Sequence, residues 1–336
     1  MGDVFLLGAG FSRAIASEMP LLGDLNRAVW TKVRLPDEKT FLNSFGGDIE
    51  LILTYLAQSH PWMSEAENLR NRALFLDLSG AVRDVLVEAM RSAAERPCPQ
   101  WLTSLINYWD SAHCDVLTLN YDTLVESAAR LCDGVCRLGI LPSRYYPFTM
   151  VPLHSEWDEF AYYVHQEPAF HLFKLHGSIN WLYSGSASFS GETVFYGALD
   201  DIWNPSRFRK LGITDKTPLI VPPVAEKVGY FQHPHVRGTW REAAAALRTA
   251  SRVFCLGYSL PELDITMRFF LHRNHPPARV PFFLVDVNDL RDHFTKLLPE
   301  HNYIVDSHFV GPDNPIQNFV NHLDDHTFSQ SQAVTP

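Results

Sequence analysis

Five short segments carry residues whose types and order could do chemistry, and each follows an apolar run. Gly8-Ala9-Gly10-Phe11-Ser12 comes directly after Val4 to Leu7. Two glycines let the chain turn tightly and let an anionic group such as a pyrophosphate approach backbone amides at a helix start. The third glycine of a dehydrogenase fingerprint would fall at position 13, which is Arg13, so taken alone the pattern also fits an ordinary strand-to-helix turn. Asn120 and Asp122 bracket Tyr121 after the run CDVLTL. They can bind a ligand, or they can cap the helix that follows. His176 follows HLFKL and precedes Gly177. An imidazole titrates near neutral pH and so suits a general base, although a single histidine is more commonly bonded into a loop. Lys174 and Asn180 flank this motif. Gly257-Tyr258-Ser259 follows RVFCL, where a glycine and a hydroxyl could meet a phosphate or ribose or simply make a turn. Asp286 and Asn288 follow FFLV, in the place where carboxylates bind ribose hydroxyls or cap the next helix.

The elements that must position these residues are legible as apolar runs at 4–8, 114–119, 171–175, 252–257, 281–286 and 302–306. Helical patterns at 122–131, 236–249, 263–273, 289–298 and 312–323 alternate with them. Nearly continuous apolar strands alternating with amphipathic helices imply a parallel sheet covered on both faces. Ligands of such sheets bind at the carboxyl ends of the strands, so the five motifs predict one crevice along that edge. Residues 48–112 interrupt the alternation and read as helical nearly throughout, most clearly over 65–95 despite Gly80. The predicted organisation is a single domain over 1–324. Its core comprises 1–30, 113–132, 170–182 and 250–324, with a helical insertion at 31–112, loop-rich insertions at 133–169 and 183–249, and a polar tail at 325–336. Within the last insertion one strand is expected, at 218–222.

Composition narrows the function classes. The 336 residues are 46% hydrophobic with a formal net charge of -10, which is ample for a core and gives no basic footprint for nucleic acid. No apolar run is long enough for a membrane span, so the expectation is a soluble cytoplasmic protein. Cys98, Cys114, Cys132, Cys136 and Cys255 are odd in number and irregular in spacing, which argues against a disulfide framework. Cys132 and Cys136 lack the second pair of a tetrahedral zinc site, so no metal is expected. His233 and His235 are a weaker metal candidate with no evident partner. Pro222, Pro223 and Lys227 are expected to shape a loop over the crevice.

In this order the motifs resemble those of the sirtuin superfamily. GAGFS is similar to its opening GAG-x-S turn, TLNYD to its Asn-x-Asp motif, LHGSIN to its histidine–glycine motif and LGYSL to its later Gly-x-Ser turn. The strings NYD, KLHGSIN and GYSL further resemble a bacterial branch of sirtuin-like NAD hydrolases associated with antiphage defence. The resemblance implies an α/β, Rossmann-like fold with an inserted helical subdomain. It also implies NAD as substrate, cleavage of the nicotinamide–ribose bond, a homo-oligomer, and in some cases a separate partner such as a HerA-type ATPase. It assigns Asn120, Asp122 and His176 to catalysis. Gly8, Ala9, Gly10, Phe11, Ser12, Gly257, Tyr258, Ser259, Asp286 and Asn288 are assigned to NAD. The sequence departs from the protein deacylases in lacking their paired CxxC zinc module and in placing Leu119 where glutamine is usual. Leu21 and Leu22 also replace a Phe-Arg pair of the cofactor loop. An NAD-dependent deacylase or ADP-ribosyl transferase is the rival within the same chemistry. A non-catalytic NAD sensor is the rival outside it.

Overall fold

The structure, a computed structural model, describes residues 2–32, 46–132, 145–148, 150–152, 170–183, 194–197, 217–221, 233–262, 264–311 and 313–324. Cys136, Pro222, Pro223, Lys227, the tail 325–336 and most of the two loop-rich insertions lie outside these residues. Along the chain, β1 (Asp3–Leu7) leads into α1 (Ala9–Ile15), and α2 (Leu22–Lys32), α3 (Ile49–Ala57), α4 (Glu65–Ala94) and α5 (Gln100–Ser111) follow. Next come β2 (Asp115–Thr118), α6 (Leu124–Ala129), β3 (Val151–Pro152), β4 (His171–Lys174), β5 (Gly177–Tyr183), β6 (Phe195–Tyr196) and β7 (Thr217–Ile220). The last third holds α7 (Pro234–Arg248), β8 (Arg252–Leu256), α8 (Ile265–Asn274), β9 (Phe282–Val285), α9 (Arg291–Leu297), β10 (Tyr303–Ile304) and α10 (Pro315–Asp324).

Six strands form the main sheet in the order β10-β9-β8-β1-β2-β4, and every pairing is parallel. This is the α/β, Rossmann-like architecture that the alternation predicted. The residues of β1 are buried on both faces and divide by period two. Phe5 and Leu7 join one core with Val116, Phe254 and Leu256, covered by Trp101, Leu105 and Trp109 of α5 and Phe319 of α10. Val4 and Leu6 join the other with Leu117, Phe173 and Val253, covered by Ala243 and Leu247 of α7 and Met267 of α8. Because β1 has β2 on one side and β8 on the other, the order of connections reverses at its carboxyl end. In an open sheet that is the place for a crevice.

The helices α2, α3 and α4 bury their own core of Leu25, Val29, Ile52, Leu53, Phe75, Leu78 and Val82. Two of them start on side-chain caps: Asp48 accepts from the amides of Glu50 and Leu51 before α3, and Ser64 and Glu67 form a reciprocal capping box at α4. The α5 segment falls within the predicted helical insertion but packs on the main sheet instead, because its Trp101 and Trp109 face that core.

A second sheet, β3-β6-β5-β7, corrects the expectation of loops with one strand after residue 182. β5 begins inside the HGSIN motif, pairs antiparallel with β6 and β7, and shifts register between Ser178 and Leu182. Gly177 makes the crossing possible. Its φ is +79°, and a Cβ there would lie 2.1 Å from the Leu219 carbonyl oxygen.

Candidate active site

All five motifs reach one cavity of about 450 Å³ at the carboxyl edge of the main sheet, a size usual for small-molecule sites. Gly8, Ala9, Gly10 and Ser12 form one wall, and Gly257, Tyr258 and Ser259 continue it. Asn120, Tyr121, Asp122 and His176 also line the cavity, as do Asp286, Val287 and Asn288. Met19 to Gly23, Leu25, Glu50 and Leu86 add a wall from the helical group and the segment leading into it, and Leu119, Pro261 and Asp264 complete the lining.

The Asn120 side chain donates from Nδ2 to the Gly8 carbonyl and to Ser12 Oγ, both at 2.8 Å. Ser12 Oγ in turn donates to Asp122 Oδ2 at 2.5 Å. Three residues from two motifs thus form one hydrogen-bonded chain. Both amide protons of Asn120 are committed, which leaves its Oδ1 to accept from a ligand hydroxyl or water. Asp122 also caps: its Oδ1 accepts from the Leu124 amide at 3.1 Å. The capping reading of Asp122 therefore holds, and the same residue lines the cavity. Ser12 and Asp122 are buried, and burial raises the Asp122 carboxyl above the usual range, opposed by the nearby Lys174 charge and the Ser12 hydrogen bond.

Below this chain lies a support that the sequence did not disclose. Lys174 donates to the Asp122 carbonyl oxygen and, at 2.9 Å, to Glu126 Oε1, with both side chains 1% exposed. Tyr146 donates to the same Glu126 oxygen at 2.7 Å. The first turn of α6 is therefore anchored to β4. Tyr121 is fixed in turn by its hydroxyl, which donates to the Val221 carbonyl at 2.6 Å.

His176 is buried, with its ring close to those of Tyr121 and Trp240 at centroid distances of 6.1 and 6.3 Å. Its carbonyl accepts from the Val221 amide at 2.8 Å, which ties the main sheet to the second one. Asn180, which flanks this motif, is instead buried within β5, where Ser178 Oγ donates to its Oδ1. Asp286 accepts from the Asn288 amide at 3.0 Å. Both residues precede α9, and the residue before that helix is Leu290, so they are not its cap. Burial raises the Asp286 carboxyl as well. His233 serves as the N-cap of α7, accepting from the His235 amide.

Two expectations for the glycine turn need correction. Phe11 is not among the cavity residues; its ring is buried in the core edge-on to Trp101 at 5.9 Å. The glycines, moreover, admit each other before they admit any anion. A Cβ on Gly10 would lie 2.9 Å from the Gly257 Cα, and one on Gly8 2.5 Å from the Gly257 carbonyl oxygen. The Gly10 amide donates to the Gly257 carbonyl, the Gly8 amide to Leu256 and the Phe11 amide to Gly8. Three amides expected to cradle a phosphate are thus engaged within the protein. Among the described cavity residues there is no lysine or arginine, whereas Glu50, Asp122, Asp264 and Asp286 are acidic.

No protein-family model and no curated protein matches the chain. Its arrangement is similar to that of solved Sir2 and sirtuin structures. One, from work on the mechanism and regulation of Sir2 enzymes, is 12% identical with a TM-score of 0.41, over 96% of this chain and 93% of that one. A sirtuin studied for substrate affinity is 14% identical with a TM-score of 0.44, over 97% and 93%. A Sir2 bound to a p53 peptide and NAD+ is 15% identical with a TM-score of 0.41, over 96% and 92%. At such identities the chemistry of the site rests on the residues that this chain itself brings together.

Proposed function

We propose that the protein is an NAD hydrolase that cleaves the nicotinamide–ribose bond to give nicotinamide and ADP-ribose. One observation carries the reading: the Asn120–Ser12–Asp122 chain and His176 reach a single cavity at the switch point of a parallel sheet. The nicotinamide of NAD is a cationic ring. Breaking its C–N bond returns the electron pair to the ring nitrogen and leaves positive charge on the ribose, as in other glycoside hydrolysis. A cavity with acidic side chains and no described cation favours that charge. Asp122, the carboxylate of the hydrogen-bonded chain, would stabilise the developing cation. Asn120 Oδ1 would hold a ribose hydroxyl or the attacking water. His176 would take the proton as the water oxygen bonds to the ribose carbon. Gly8, Ala9, Gly10 and Ser12 would pass the pyrophosphate along the turn, chiefly as a close backbone wall. Gly257, Tyr258 and Ser259 would border it, with Asp286 and Asn288 toward the adenosine half.

The motif resemblance extends the proposal to a cytoplasmic enzyme that depletes NAD in antiphage defence. Incubation with NAD followed by product analysis tests the core of it. Free nicotinamide and ADP-ribose without any peptide are expected. Product that appears only with an acylated peptide would make the protein a deacylase, and binding without turnover would make it a sensor.

A further inference from the structure

The ion pair of Lys174 and Glu126 is buried almost completely, at 1% exposure for both side chains. Lys174 ends a strand whose preceding residues, Leu172 and Phe173, enter the two apolar cores. Such a pair is a poor stabiliser. Desolvation consumes most of the attraction, and apolar residues of similar volume often serve as well. A use for the cation is therefore to be sought in what it faces. Lys174 stands in register with Thr118, the last residue of β2, so its side chain reaches the turn that follows that strand. There it donates to the Asp122 carbonyl oxygen and to Glu126 Oε1.

The Asp122 carboxyl accepts from Ser12 and from the Leu124 amide, and Asp122 lines the cavity. Behind it stand Lys174 of β4, Glu126 of α6 and Tyr146. His176, Glu50, Asp264 and Asp286 share the cavity lining with it. Burial favours the protonated carboxyl. The Lys174 charge is the strongest influence against burial, ahead of the two hydrogen bonds, and Glu126 adds a weaker push on the side of burial. The pair therefore does not cancel at Asp122. A net positive influence reaches the carboxyl from the core, although no lysine or arginine is among the described residues of the lining. We propose that Lys174 is a positioning residue for NAD cleavage, holding the Asp122 turn in place from behind the cavity and keeping its carboxyl ionised to meet the developing cation. The catalytic part of this inference rests on the hydrolase reading; the hold of Lys174 on the carboxyl does not.

Lys174→Met combined with Glu126→Gln tests it, because removing both charges together strands neither. In full-length protein labelled with 13C at aspartate carboxyls, the Asp122 signal is the one lost in Asp122→Asn. In the double variant it should titrate at higher pH than in the wild type. Glu126→Gln alone keeps the cation and should move it to lower pH. NAD turnover per folded molecule should follow: its fall on the acid side should come at higher pH in the double variant, and a larger share of the lost turnover should return as pH rises. A purely structural role would lower turnover by one factor at every pH. The His176 imidazole signals, followed in the same samples, separate the two groups and should move less than Asp122. An Asp122 signal that titrates alike in wild type and double variant overturns the proposal, and so does a shift carried by His176 alone. If Asp122 shifts as expected but the wild type consumes no NAD, the hydrolase reading and the catalytic use of Lys174 fall together, and the hold on the carboxyl stands.

Discussion

The two ends of the main sheet are built from similar materials and do opposite things. At the amino edge, Arg252 grips Asp3 through two hydrogen bonds, at 2.9 and 2.5 Å, and Tyr108 joins both of them. The carboxylate, the cation and the phenol satisfy one another, in the bidentate geometry that makes such pairs strong. Asp3, Tyr108 and Arg252 are absent from the lining of the cavity. At the carboxyl edge, Asp122 is held by a serine and a backbone amide, its chain ends on an Asn120 oxygen left to accept, and the whole faces a cavity. Lys174, a cation close to Asp122, is turned to Glu126 and a carbonyl. A network closed by its own counter-charge is a staple between strands. A network left acceptor-rich beside open space is prepared for a ligand.

On that contrast, the largest effect on turnover belongs to residues that line the cavity. His176→Ala should lower NAD turnover per folded molecule by ~10²–10⁴-fold, the usual contribution of a general base. Asn120→Ala should act similarly through lost positioning. Equal turnover in wild type and both variants would remove the site from this edge. Next comes the support beneath it. Glu126→Ala leaves Lys174 buried without its counter-charge, for which a loss of about 3–5 kcal/mol in unfolding free energy is expected. Denaturant titration checks it, and a loss under 1 kcal/mol would show that water reaches the lysine.

The strands of the main sheet were legible because parallel strands buried on both faces read as unbroken apolar runs, as in Phe282 to Val285. The second sheet was not. β5 reads GSINWLY, in which buried Ser178 and Asn180 break the apolar run, and its partner β7 is some forty residues away with a register shift. Each motif of the site could be seen alone, but the bonds between them could not. Ser12 and Asp122 are 110 positions apart, and no local spacing announces such a pair. A still longer separation hid the role of Gly10, whose missing Cβ makes room for Gly257. Gly10→Val would therefore unseat two turns and lower stability together with any binding, so loss of NAD affinity in that variant could not by itself locate the pyrophosphate.

At the amino edge, Asp3→Asn tests the staple. Replacing the carboxylate weakens three contacts to the Arg252 and Tyr108 side chains, and hydrogen bonds to charged groups contribute about 1.5–3 kcal/mol. Stability should fall within that range while NAD turnover per folded molecule stays at the wild-type value. A fall in turnover with full folding would mean that the two edges are coupled through β1 and that the contrast is false.

The smallest expected change in stability, and the one that separates site from staple most sharply, is at Asp122. Burial raises its carboxyl from the ordinary 3.8. Between the unfolded and the folded pKa the folded protein keeps a proton that the unfolded chain has lost, so folding is favoured by acid across that window. The wild type thus carries an electrostatic cost that grows as pH rises through the folded pKa and is full above it. Asp122→Asn keeps an oxygen for the Leu124 amide and removes the charge. Its stability relative to the wild type should therefore improve as pH is raised from about 4, with the other acids cancelling in the difference, while its NAD turnover falls. Unfolding free energies of both proteins, measured from pH 4 to 8, give that difference directly. A variant that instead loses ground as pH rises would show that the folded protein stabilises the Asp122 carboxylate, as a staple does, and Asp122 would then belong with Asp3.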